Sequence, residues 1–372
     1  QPGPNATTPP ADLERGWLAV AALDTSAPTR LMYYSNACGL AKNYCLVAPG
    51  TVVYSKHTDT GASPNLVYNT GTSFAAPLVS GAAAVVWEKF PYFNNDLVRQ
   101  TLLGTATDLG AAGPDAVFGY GLLDVGKALG GPAKFDWGDV TVDSSGEATR
   151  TNPTSGSGGL VKRGSGTLSI GGGSAALDYA GDTRVQAGTL KILGAMRTSD
   201  VHIEAGGRLE GAAQLGGDLT NAGVVHIGEA TAGNAGINVD GNYVQRAGGQ
   251  LSLVLGYGHL QVDGTATLEG GDVHVAGVRD GYVTQVREDV LTATGGISGR
   301  FDGITTASTI FLDASLLYSS NAAWLDIRRL DVTAAAMSMA DITPAALGAA
   351  ARVEEAVDGI DPQQGSGEGV LS

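Results

Sequence analysis

Apolar and polar positions follow two rhythms in this 372-residue chain, and the change falls near Pro132. Before it, apolar residues come in unbroken runs. Gly16-Trp-Leu-Ala-Val-Ala-Ala-Leu23 is bounded by polar residues, the pattern of a strand covered on both faces. Cys45 to Ala48 is a second such run and ends at the turn signal Pro49-Gly50. From Ser73 to about Lys89 the spacing becomes helical, with Leu78, Ala82, Val85, Val86 and Phe90 recurring at three- and four-residue steps until Pro91 stops the helix. A second helix is expected with Asn95 or Asp96 as cap, running through Leu97, Val98, Thr101, Leu102 and Leu103 to Gly104.

After Pro132 short segments alternate apolar and polar residues between glycines. Gly166-Thr-Leu, Gly188-Thr-Leu and Gly207-Arg-Leu recur at intervals of 22 and 19 residues. A repeat of that length implies one coil per unit, each stacking one face on the next while glycine makes the corner. This predicts a parallel β-helix. An antiparallel sandwich would carry regularly spaced hairpin turns, whereas Asp240-Gly, Asp263-Gly and Asp280-Gly are scattered. Leu291 to Val332 shows no repeat and is richer in large apolar residues, as a capping region should be. Thr333 to Asp358 is alanine-rich and reads as helix or linker.

Length alone implies two or three structural units, because single cores stop growing near about 250–300 residues. Glycine, at 56 residues, is about twice its usual frequency, which suits many short strands joined by tight turns. The net charge of −15 repels phosphate backbones and anionic lipid surfaces and excludes a nucleic-acid-binding role. The most apolar stretch, Leu78 to Trp87, is too short to span a bilayer as a helix. The chain starts at Gln1 with no charged-then-apolar leader, as if cut from something longer. Cys38 and Cys45 are its two cysteines and have no histidine near enough to complete a zinc site. They are either two buried thiols or an isolated disulfide; the close pairing favours an oxidising compartment, and a bond would contribute about 2.5 kcal/mol.

One residue stands out chemically. Ser73 follows Gly71-Thr72 out of a loop, and the small residues Ala75 and Ala76 come soon after it at the start of a helix. A serine hydroxyl is a weak nucleophile that needs a base and oxyanion donors. A helix N-terminus offers free N–H groups and a favourable dipole. Local physics alone favours a serine that merely caps the helix.

Gly71-Thr-Ser-Phe-Ala-Ala-Pro-Leu-Val-Ser-Gly81 resembles, over its whole length, the nucleophile motif of subtilisin-like serine proteases. Val20-Ala-Ala-Leu-Asp24, Ala48-Pro49-Gly50 and Gly119-Tyr-Gly-Leu-Leu-Asp124 resemble further segments of that family, so the likeness covers residues 1 to about 131. It implies that Ser73 is the catalytic nucleophile. The family's Asp and His stand well upstream of the serine. His57, only 16 residues before Ser73 in a polar turn-like stretch, is read as a loop residue, and Asp24 and Asp59 lack the expected context for the acid. Asn5 stands at a suitable distance for an oxyanion donor but in Gly-Pro-Asn-Ala-Thr, not the family's Ala-Gly-Asn.

Leu160-Val-Lys-Arg-Gly-Ser-Gly-Thr-Leu-Ser-Ile and Val185-Gln-Ala-Gly-Thr-Leu-Lys-Ile resemble autotransporter passenger repeats, and the Leu291–Asp302 and Tyr318–Arg329 stretches resemble the end of such passengers. The order resembles the subtilisin-like autotransporters, in which a Cys-x6-Cys pair also recurs. The expected fold is therefore the α/β subtilisin-like C-terminal portion of a protease domain followed by a right-handed parallel β-helix passenger stem. Its expected parts are residues 1–131 (peptidase portion), 132–332 (stem with cap) and 333–372 (linker toward a β-barrel). The function implied is a serine endopeptidase forming an acyl-enzyme on Ser73, acting on protein or peptide substrates at the surface of a Gram-negative cell, with its own outer-membrane β-barrel as partner. The alternative is an adhesive β-helix passenger with a degenerate protease portion. The chain by itself is expected to be inactive, its base and acid lying upstream. No cofactor is expected; calcium often stabilises subtilisin-like folds, but no dense Asp/Glu loop of ligand spacing is present, and no metal is assigned.

Overall fold

The computed structural model describes residues 15–56, 65–172, 175–228, 236–279, 285–307, 312–329, 332–337 and 342–364. Contacts divide the chain into two compact units, Gln1–Leu209 with Ala213–Asp218 and Glu210–Ala212 with Leu219–Ser372. Residues 131 and 132, where the sequence suggests a boundary, both lie inside the first unit.

The first unit opens with two parallel strands, β1 (Ala19–Leu23) and β2 (Cys45–Pro49), in the register Ala19↔Cys45 to Leu23↔Pro49. β2 is buried along almost its whole length, which explains its unbroken apolar sequence. β1 is shorter than the apolar run suggests, because Trp17 is half exposed and stands outside the pairing. The crossover between the strands carries a single 3-10 stretch, Gly39–Tyr44, and the Cys38–Cys45 disulfide, with the Cα atoms 5.8 Å apart. Around that bond Ala21, Leu23, Ala41, Tyr44, Val47 and Phe118 close an apolar cluster.

A hairpin follows, β3 (Thr51–Lys56) paired antiparallel with β4 (Asn65–Thr70), then α1 (Thr72–Lys89) and α2 (Asn95–Thr105). α1 packs on β1 and β2. Its buried seam is Ala75, Val79, Ala82 and Val86, ending against Phe90. Leu78 and Val85, which the spacing assigns to the core, are instead exposed. Small residues let the helix approach the sheet closely, so side-chain size decides the buried face here more than hydropathy does. The cap of α2 is Asn94, one residue before the expected position, its carboxamide oxygen accepting from Leu97 N at 2.8 Å.

From residue 134 onward the first unit turns into stacked parallel strands. Val140 pairs with Leu160, Leu160 with Thr183 and Thr167 with Thr189, so each coil takes about twenty residues. Inward residues alternate strictly, as in Val140–Asp143, where Val140 and Val142 are buried and Thr141 and Asp143 exposed. The repeated glycine has a steric reason: a Cβ on Gly188, whose φ is +68°, would lie 2.4 Å from Gly164 O and 2.5 Å from Gly166 O of the coil beneath. Lys162 keeps the alternation but places a charged side chain at an inward position, and its ammonium donates to Arg163 O (2.6 Å), Gly164 O (2.8 Å) and Ala187 O (3.1 Å).

The second unit contains the same kind of stack. Leu219 pairs with Tyr243, Tyr243 with Ala266 and Ala266 with Ile297, all parallel. The Asp-Gly pairs at 240 and 263 are stacked corners rather than hairpin turns, with Gly264 N donating to Gly241 O at 3.0 Å. Coils continue further than the sequence shows: Leu291 to Ala293 pairs parallel with Leu260 to Val262, and Gly303 to Thr306 with Asp272 to Val275. The cap begins only after that. Ala322–Arg329 pairs antiparallel with Gln285–Ala293, and Leu312–Tyr318 antiparallel with Ala322–Arg329. The alanine-rich end forms two helices, Val332–Met337 and Pro344–Gln364. No helix among the described residues is long and apolar enough to cross a membrane.

Candidate active site

Backbone hydrogen bonds carry the nucleophile segment from the sheet. Gly50 N donates to Leu23 O (3.0 Å) at the end of β1, and Gly71 N donates to Gly50 O (2.9 Å) at the base of the hairpin. Ser73 therefore stands at the carboxyl end of the parallel pair, where open α/β sheets present their ligands.

Gly71 is the N-cap of α1 and makes no side-chain cap, so Ser73 is the second helical residue and not the cap that local physics allowed. Its side chain is exposed, and no partner holds its hydroxyl among the described residues. Around it lie backbone N–H groups of the first turn, most of which have no intrahelical acceptor. Pro77 stands four residues on, inside the helix. Having no N–H, it cannot bond the Ser73 carbonyl, and its ring crowds that oxygen. The Ser73 carbonyl thereby lacks its helical donor, while Ala75, fully buried, sits on the face packed against β1 and β2.

The other residues weighed from the sequence fall elsewhere. Asn5, His57 and Asp59 lie outside the described residues. Asp24 accepts from Ser26 Oγ at 2.6 Å and Ser26 N at 2.9 Å, bonds that hold its carboxyl below the usual range; it caps its own turn. Of the five histidines, His202, His226, His259 and His274 belong to the stacked coils.

Two features beside Ser73 carry no motif. A cleft of about 320 Å³ is lined by Trp17, Ala19, Ala21, Cys38, Tyr44 and Thr72, the last adjoining Ser73. Hairpin β3–β4 leads into the serine and exposes Val53, Leu66 and Tyr68, with Val53 directly opposite Tyr68. The β-rich run Asn-Leu-Val-Tyr-Asn-Thr before Gly71 could have revealed β4. The cleft is assembled from distant segments and leaves no local trace.

The Gly119–Asp124 segment closes the site's support from below. Tyr120 N donates to Cys45 O (2.8 Å), Gly121 O accepts from Val47 N (2.8 Å) and Leu123 N donates to Val47 O (2.9 Å), so it runs alongside β2. Gly119 has φ +60°, and a Cβ there would lie 2.2 Å from Cys45 O and 3.0 Å from Cys38 Sγ.

Residues 2–121 match the subtilase family, and residues 160–192 match the passenger-associated-transport-repeat. The chain is 37% identical over 281 residues to the Neisserial autotransporter lipoprotein NalP of Neisseria meningitidis serogroup B, covering 70% of this chain and 25% of that protein. It is 29% identical over 377 residues to an extracellular serine protease of Serratia marcescens, covering 83% of this chain and 35% of that one. Subtilisin BL of Lederbergia lenta is 34% identical over 149 residues, 34% of this chain and 52% of that protein. The chain thus spans about a quarter to a third of the length of the first two.

Proposed function

Because this chain belongs to the subtilisin-like serine proteases of the autotransporter family, we propose that Ser73 is the nucleophile of a serine endopeptidase. The observation that carries the reading is an exposed serine in the first turn of α1, at the carboxyl end of the parallel strands. In the whole protein Ser73 Oγ attacks the carbonyl carbon of a peptide bond as a base takes its proton. The tetrahedral oxyanion collapses to an acyl-enzyme, the amine leaves with a proton, and water releases the acid. Free N–H groups at the start of α1 favour the developing negative charge. Substrates are proteins or peptides, and no step asks for a cofactor.

The coils behind the peptidase portion support display at, or release from, the surface of a Gram-negative cell, with the protein's own outer-membrane β-barrel as partner. A serine-directed phosphonate tests the site. It should label the full-length protein and leave the Ser73→Ala variant unlabelled; equal labelling of both removes Ser73 from the mechanism. Labelling of neither favours an adhesive passenger with a degenerate protease portion.

A further inference from the structure

The start of the stem is packed as though it were part of the peptidase body. Trp137 lies 5.5 Å from Tyr120, ring to ring, and has the Arg99 guanidinium of α2 at 5.8 Å. Phe135, fully buried, takes the Arg150 guanidinium at 5.4 Å on one side and Tyr179 at 4.9 Å on another. Arg99 and Arg150 are each at least 95% buried, an unusual environment for two guanidinium groups. Backbone continues the joint: Phe135 N donates to Ser155 O (2.7 Å), Ser155 N to Ala133 O (3.0 Å) and Thr151 N to Gly130 O (3.0 Å). A Cβ on Gly104 of α2 would lie 3.2 Å from Lys134 Cβ, so that helix rests directly on the chain entering the first coil.

We infer that the first stem coil is a seat for α2, and through it for α1, so that Phe135, Trp137 and Arg150 are positioning residues for the helix that carries Ser73. The route is short. α1 and α2 pack together, and Phe90 at the end of α1 stacks at 4.6 Å on Phe93 in the turn that leads into α2. An ordinary linker would carry few contacts and exposed polar residues. This one is closed by two buried arginines, Arg99 from α2 and Arg150 from the first coils, and by tilted aromatic pairs. The stem is then a working part of the enzyme rather than a spacer.

Hydrogen exchange read by mass spectrometry on the full-length protein tests this without relying on catalysis. Trp137→Ala and the milder Phe135→Leu should raise exchange at least about tenfold in Val79–Val86 and Leu97–Leu103, as expected when local opening becomes easier. Arg246→Ala, which removes an exposed ion pair to Glu269 in a later coil, should leave both stretches unchanged. Increased exchange confined to residues 134–163, with both helices as protected as in the parent, would overturn the proposal. Phosphonate labelling read beside it keeps the two ideas apart. Slower labelling with faster helix exchange supports the seat, whereas unlabelled parent protein with coupled exchange sinks only the reading of Ser73.

Discussion

Gly119 concentrates several demands in one residue. Its backbone is left-handed, its missing Cβ leaves room for Cys45 O, and its N–H donates to Asp115 O at 3.0 Å. Gly119→Ala should lower stability by about 3 kcal/mol, the strain of the conformation adding to a backbone clash. Gly39 makes the comparison clean: φ is +55°, yet nothing lies within 4 Å of a Cβ there. Gly39→Ala should cost only about 1 kcal/mol. Denaturant midpoints of the two variants measure the difference, and equal losses would show that the crowding at Gly119 relaxes. At this scale the sequence was legible where a motif stretches over many positions, as around Ser73. It was silent on Lys162, because an inward ammonium is defined by three carbonyls from two coils and not by its neighbours in sequence.

Among elements, α1 shows what periodicity can deliver. Its limits are readable to within a residue, since Pro91 ends it, but the spacing assigns Leu78 and Val85 to the inside, where the structure buries Ala75 and Val79 instead. Hydropathy ranks leucine above alanine; close packing against β1 and β2 reverses the order. The repeat was visible only where glycine recurs before Thr-Leu. Further on, coils of different length and Asp-Gly corners hide the period, although the strands still pair in register. The small element between the parallel strands is held by Cys38–Cys45. Replacing both cysteines by alanine should cost about 2.5 kcal/mol, read as a lower denaturation midpoint that reductant reproduces in the parent and does not change in the variant. An unchanged midpoint would mean that the apolar cluster alone keeps the crossover closed.

For the whole molecule, acid is the informative stress. In the second unit His259 donates to or accepts from Thr292 Oγ1 at 3.1 Å, and burial holds its pKa below the ordinary histidine value, against the opposing pull of Asp289 and Glu288. The folded state thus prefers neutral imidazole, while the unfolded chain takes up a proton near about pH 6.5. Stability must fall as pH drops through that value. His259→Gln, which keeps a hydrogen-bonding group without the titration, should narrow the gap between denaturation midpoints at pH 7 and pH 5. An unchanged gap would assign the acid sensitivity to other groups.

The antiparallel pair at the end of the coils has a consequence for assembly. A stack of coils is a template that can grow: the outer edge of each strand offers unpaired N–H and C=O groups to whatever extended chain arrives next. Ala322–Arg329 runs against Gln285–Ala293 in the opposite direction, and Leu312–Tyr318 runs against it in turn. Along that side the edge of Gln285–Ala293 is already occupied by a strand of opposite polarity. The hairpin thereby gives that edge of the last coil a partner from the same chain, in place of the open edge to which another extended chain could add.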